Sequence, residues 1–155
     1  RLIASGRQIN DDMPAFVGEQ IVKHLVLANK QVKSSKVVFF GATFKENCPD
    51  VRNSKVIEII RYLEGYGIKP VLVDPQAEKR EVERTCEYPL SSESEAKDAD
   101  CLVIAVAHDE YRKRTLSEWD ACFRKCPETE KVIIDVKAIL DPAEVAQAGY
   151  VYWRL

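Results

Sequence analysis

Positions 41–54, GATFKENCPDVRNS, set Lys45, Asp50 and Arg52 between an apolar run and a helical pattern. A glycine directly after a buried strand often opens a nucleotide site. Here the dinucleotide fingerprint of closely spaced glycines is missing and only Gly41 is present. Arg52 and Lys55 fall at or just before the start of the helix, where the macrodipole disfavours a cation by about 0.3–1 kcal/mol each. A phosphate reverses that sign, because it pairs with the cations and with the free N–H groups of the first turn. Lys137, at the end of a later apolar run, could join them. Solvated surface cations, with Asp50 pairing Arg52, fit the same residues. The side-chain chemistry leaves both readings open.

Other reactive side chains are weaker candidates. Asp74 ends an apolar run, where an acid in a dinucleotide fold holds a ribose hydroxyl. Without the glycines, capping of the turn with Pro75 is the preferred reading. His108 stands where a general base could stand, but a histidine closing a strand reads first as hydrogen-bonded structure. Cys48 has no histidine near it in sequence and no glycine-built oxyanion turn, so it reads as structural, and no catalytic residue is assigned. Cys122 and Cys126 could share a helix face, yet two ligands without nearby histidines give a weak zinc signal, and no metal is expected. Asp11 and Asp12 precede a helix rather than end a strand, which defeats a response-regulator receiver.

The elements that must position these groups alternate. Asn10 and Asp11 are candidate N-caps for a long helix over 12–31, in which Phe16, Val17, Ile21, Val22, Leu25 and Val26 recur at mixed spacings of three and four. KVVFF at 36–40 reads as a buried parallel strand. A helix over 54–66 follows and stops at Gly65 and Gly67. Further strands are expected at 69–75, 100–108 and 131–137, with a short charged helix at 76–84, a helical turn at 94–98 and a helix over 109–126. The aromatic tail suits an edge strand. This is an α/β pattern with a mainly parallel sheet and a long leading helix. Ligands in such sheets sit outside the carboxyl ends of the strands. The segment 41–50, Asp74, His108 and 135–137 therefore converge on one rim.

Length and composition set outer limits. The chain has 155 residues, 46% hydrophobic and 31% charged, which suits one packed domain. A net charge of −2 argues against a general nucleic-acid surface. No apolar run approaches the roughly 18 residues that span a bilayer, and no signal peptide is evident. The five scattered cysteines suit reduced thiols in a cytoplasm. A start at Arg1 rather than methionine is expected of a fragment.

The segment GATFKENCPDVRNSKV resembles the start of the C-terminal domain of the UDP-glucose/GDP-mannose dehydrogenase family, most closely the branch acting on UDP-N-acetylhexosamines. SGRQINDDMP, VLVDPQA, AVAHDEY, VIIDVKAIL and GYVYWRL agree in order, so the resemblance spans nearly the whole chain. It implies a Rossmann-like, three-layer, UDP-sugar-binding domain over 35–155, with 1–34 as the end of a central helical region. It implies that Phe44, Lys45 and Lys137 contact the UDP-sugar and that Arg52 reaches the NAD side of the cleft. The family often has arginine where Lys137 stands; lysine keeps the charge and loses the bidentate fork. The family oxidises a sugar C6 alcohol to a carboxylate in two NAD-dependent steps, with NAD and the nucleophilic cysteine on an N-terminal part missing here. The chain alone is therefore expected to be inactive, and a homodimer through helix 12–31 is expected. The alternative is a free-standing nucleotide-binding or regulatory module of the same fold.

Overall fold

The computed structural model describes the backbone of residues 2–155 and the side chains of residues 12–155. Five strands form one sheet: β1 (Val37–Phe40), β2 (Val71–Val73), β3 (Cys101–Ile104), β4 (Val132–Asp135) and β5 (Val151–Arg154). Their order is β2-β1-β3-β4-β5, and every pairing is parallel. β1, β3 and β4 are buried at every position, which is why they read as unbroken apolar runs. Alternate residues face opposite layers. Val37, Phe39, Cys101, Val103, Val132 and Ile134 pack towards one helical layer, and Val38, Phe40, Leu102, Ile104 and Ile133 towards the other.

The first layer holds α1 (Leu2–Leu27), α2 (Lys55–Glu64) and α3 (Lys79–Cys86). α1 buries Val17, Ile21 and Leu25, with Ala28 buried just beyond its end, and crosses α2 closely at Gly18, where a Cβ would overlap the Tyr62 ring. α2 starts at Ser54, whose hydroxyl accepts from the Val56 N–H. Its spacing puts Val56, Ile59, Ile60 and Leu63 on one buried face, each contributing about 1.5–3 kcal/mol. The second layer holds α4 (Asp109–Arg112), α5 (Leu116–Asp120) and α6 (Pro142–Ala148) around Tyr111, Trp119, Phe123 and Val145. Opposite the rim, the buried Asp100 carboxylate accepts from the Lys36 N–H at 2.8 Å and pairs with Lys30 at 3.3 Å and Arg124 at 3.2 Å, tying the end of α1 to the sheet.

Four local expectations need correction. Helix α1 is already helical at Leu2, so Asn10 and Asp11 lie within it rather than capping it; their side chains lie outside the described residues. It also ends at Leu27, short of 31. The helix expected over 109–126 is two short ones, because Thr115 starts a new helix with a reciprocal capping box to Glu118. Residues 142–148, given no helix above, form α6, with Asp141 as N-cap, Pro142 in the first turn and Gly149 at the C-cap.

Candidate functional site

The chain leaves β1 for β2 on one side and reaches β3 on the other, so the sheet order reverses between β1 and β3. Clefts form at such a switch point. Gly41 opens the loop there. Its φ is +109°, and a Cβ would lie 2.6 Å from the Val106 side chain, so a residue without one is required.

A buried network then shapes the loop. The Asp74 carboxylate, fully buried, accepts four hydrogen bonds. Ala42 N–H (2.6 Å) and His108 Nε2 (3.0 Å) bond Oδ2; Gln76 N–H (2.7 Å) and Ala77 N–H (3.0 Å) bond Oδ1. Burial pushes this carboxyl up, but the bonds from His108, Ala42 and Gln76 outweigh it and hold it below the ordinary carboxylate value. With its acceptor sites filled, Asp74 caps its turn and has no oxygen free for a ribose. The His108 ring is likewise fully buried. Its Nδ1 accepts the Asn47 N–H at 2.9 Å, so the ring hydrogen sits on Nε2 and is donated to Asp74. The Asn47 side chain then exchanges two hydrogen bonds with Asp109, at 3.0 and 3.1 Å. Phe44 N–H donates to the Asp50 carbonyl at 2.8 Å and closes the loop.

A second buried carboxylate shapes the rim after β4. Asp135 accepts from Ile139 N–H (3.1 Å), Leu140 N–H (3.0 Å) and the Tyr152 hydroxyl (2.7 Å). Burial and that bond push the Tyr152 hydroxyl up. The turn so formed leaves Lys137 exposed, with Ala138 at φ 54°.

The structure brings together some of the predicted residues and not others. Phe44 and Lys137 line one cavity of about 250 Å³, with Met13, Thr43 and Lys55. Lys45 is exposed and outside that lining. Arg52 is farther along the loop and grips Asp50 through two side-chain hydrogen bonds of 3.0 and 2.9 Å, which bring the Asp50 carboxyl down to about 2. A larger cavity of about 740 Å³ opens on the other side of Phe44, towards Arg61 and Thr85. Cys48 is half-buried, and both His108 nitrogens are engaged, so the rim offers contacts for a ligand rather than a nucleophile with its base. An exposed ring beside two ammonium groups suits a ligand with a planar part and an anionic part. Among the described residues no group of His, Cys, Asp and Glu is placed to hold a metal. No helix among them is long and apolar enough to cross a membrane.

Sequence reasoning missed Thr43, Asn47 and Tyr152. Asn47 left a faint trace: asparagine tolerates the left-handed backbone, and here φ is 58°.

Fold and rim define a Rossmann-like α/β domain with its candidate site at the β1/β3 switch point. The model of the UDP-glucose/GDP-mannose dehydrogenase family, UDP binding domain, matches residues 38–142, and the chain belongs to this family. UDP-N-acetyl-D-glucosamine 6-dehydrogenase of Salmonella typhi is 34% identical over 145 residues, which cover 92% of this chain and 32% of that protein. The enzyme of the same name from Pseudomonas aeruginosa is 36% identical over 143 residues, 90% of this chain and 32% of that protein. The crystal structure of NDP-N-acetyl-D-galactosaminuronic acid dehydrogenase from Methanosarcina mazei shares the fold, with a TM-score of 0.84 at 24% identity over 99% of this chain and 31% of that one. UDP-N-acetyl-mannosamine dehydrogenase Cap5O of Staphylococcus aureus gives 0.72 at 26%, over 99% and 32%. The chain spans about a third of the length of these relatives.

Proposed function

We propose that this chain is the UDP-sugar-binding part of an NAD-dependent 6-dehydrogenase that oxidises a UDP-N-acetylhexosamine, or a UDP-hexose, to the uronic acid. The supporting observation is the convergence of Phe44, Lys55 and Lys137 on one cavity at the switch point. Phe44 and Lys137 contact the UDP-sugar from within the cavity, and Lys45 from its margin. The cations neutralise the diphosphate and the ring covers a planar or apolar surface of the ligand. NAD, which takes up the hydrides in this chemistry, does not fit the domain in the usual dinucleotide manner. The glycine cradle is missing, and the acid at the end of β2 has its acceptor sites filled. Arg52, exposed at the loop's far end, faces the NAD side supplied by a separate domain. The chain alone, with no activated cysteine, turns over no substrate.

Residues 1–34 belong to the central helical region of the whole enzyme and 35–155 to the UDP-sugar domain. The enzyme works in the cytoplasm as a homodimer joined through the leading helix, on which Phe16, Val26 and Leu27 are exposed.

UDP titration of the isotope-labelled chain tests the reading. Amide shifts should cluster at 41–48 and 135–139, and Lys137→Ala or Lys45→Ala should each weaken UDP about tenfold, as loss of a charge-assisted hydrogen bond does. Shifts confined to Asp74 and its turn, or unchanged affinity in both variants, would refute it.

A further inference from the structure

The His108 ring is the one imidazole buried under the candidate site, and the binding reading gives it no task. Its position is not that of a passive core residue. Nδ1 holds the Asn47 N–H and Nε2–H holds Asp74. Asn47 follows Phe44 and Lys45 by three and two residues, and Asp74 grips Ala42 just ahead of them. The same ring thus fixes both ends of a six-residue segment, 42–47, that presents Phe44 and Lys45. Thr43 strengthens the arrangement: its hydroxyl lies 3.3 Å from His108 Nε2 and donates to the Lys45 carbonyl at 2.9 Å.

The geometry points to His108 as a positioning residue. In its neutral, Nε2-protonated form it locks the Phe44–Lys45 segment in its binding shape, and a proton on Nδ1 unlocks it. This rests on the proposed UDP site for its purpose, but not for its mechanics. Nδ1 cannot accept the Asn47 N–H and carry a proton at once. Protonation therefore replaces a hydrogen bond by two donors facing each other in a buried place, and the adjacent backbone must move. Several titratable or charged groups face the ring. The Asp74 carboxylate, at the end of β2, lies against Nε2 at 3.0 Å. From α4, the Tyr111 ring lies 5.7 Å away; burial and the Asp74 charge push its hydroxyl up, so it stays neutral. Asp109, also on α4, reaches the site through Asn47, and Glu110 is turned to Gln76 at 2.8 Å. Lys45 and Glu46 of the loop are exposed and screened by water.

Two substitutions separate the halves of the lock. Asparagine can place its side-chain oxygen near the position of Nδ1 and keep the acceptor for Asn47. Glutamine reaches the position of Nε2 and keeps only the link to Asp74. The experiment uses the 155-residue chain labelled with nitrogen-15, first without ligand and then with UDP. In the wild type, the imidazole should show an unprotonated Nδ1 and a protonated Nε2. On acidification, the amides of residues 43–48 should shift together with the imidazole. In His108→Asn these amides should keep their wild-type shifts and lose that titration; in His108→Gln they should be displaced at every pH. UDP affinity should follow, within about threefold of wild type for His108→Asn and about tenfold weaker for His108→Gln, the size of one well-placed hydrogen bond. UDP's own phosphate also takes up a proton on acidification, so the pH effect is read as wild type against His108→Asn.

A protonated Nδ1 in the wild type at neutral pH overturns the proposal, and so do loop amides that ignore the imidazole titration. Both are read on the wild type alone, so they decide even where a variant fails to fold. Equal loop shifts in the two variants also overturn it. If the wild type binds no UDP while the lock behaves as described, the binding reading falls and the lock stands.

Discussion

Asp135→Asn tests how the rim is held. The Asp135 carboxylate is fully buried at the end of β4 and accepts from Ile139 N–H, Leu140 N–H and the Tyr152 hydroxyl. An asparagine has one acceptor oxygen, and its NH2 must face one of those backbone N–H groups. With the oxygen kept towards Leu140 and Tyr152, the bond to Ile139 becomes a donor–donor contact. With the opposite flip, Leu140 is the group deprived, while Tyr152 can rotate to accept. Either way one charge-assisted bond, about 1.5–3 kcal/mol, is lost and a buried N–H is left unmet, about 1–3 kcal/mol more. Removing a buried charge offsets part of this. The net loss is about 2–4 kcal/mol, or roughly 4–16 °C in Tm for a chain of this size. Urea unfolding of the variant gives the stability, and UDP titration gives the second readout, because the turn that presents Lys137 is released. A stability change below about 0.5 kcal/mol would refute the assignment of Asp135 as the anchor of this turn, since that is the ordinary noise of a surface substitution.

Three further outcomes are expected. The folded Asp74 carboxyl lies below its ordinary value, so as pH falls the unfolded chain binds that proton first; the stability it contributes is full above the unfolded value, about 3.9, and is lost as pH falls through the folded one. A carbon-13 titration in which Asp74 protonates at or above the ordinary value would contradict the network. Arg52→Ala should leave Tm unchanged, because its pair with Asp50 is exposed, while the Asp50 carboxyl rises from about 2 towards its ordinary value; a carboxyl that stays low means that Arg52 is not the cause. The double substitution Val26→Glu with Leu27→Glu should turn a dimer into a monomer in light scattering, since these exposed side chains leave α1 an apolar outer face; a wild type that is monomeric at high concentration removes the premise.

Much of the architecture was legible because burial on both sides writes itself as unbroken apolar runs. VVFF, CLVI and VIID could be placed in a parallel sheet without any contact information. The turn role of Asp74 was legible too, from its place before Pro75. So was the convergence of the four strand ends on one rim, but its detailed shape was not. It depends on left-handed backbone at Asn47, Asn53 and Ala138, and only the asparagines advertise that conformation. His108 and Asn47 are 61 positions apart, and nothing in either local pattern links them. The break between α4 and α5 was written plainly in Thr115–Glu118 and was hidden by a helical periodicity continuing on both sides.

The absence of a glycine cradle has a structural counterpart. In a dinucleotide loop, backbone N–H groups turn towards a phosphate, and the ligand's charge orders them. Here the corresponding N–H groups of Ala42, Gln76, Ala77, Ile139 and Leu140 turn inward to two carboxylates of the protein itself, and that of Asn47 to an imidazole. The protein's own acceptors occupy the place the phosphate takes elsewhere, so the rim can be ordered without a ligand. Two consequences follow. An anion arriving there would find few backbone donors and would have to be met by side chains, a role open to Lys55 and Lys137 in the cavity lining. A preformed rim would also leave little ordering to be done at the moment of binding, so on the proposed reading what a ligand would still fix is the Phe44 ring and the long, flexible ends of the lysines.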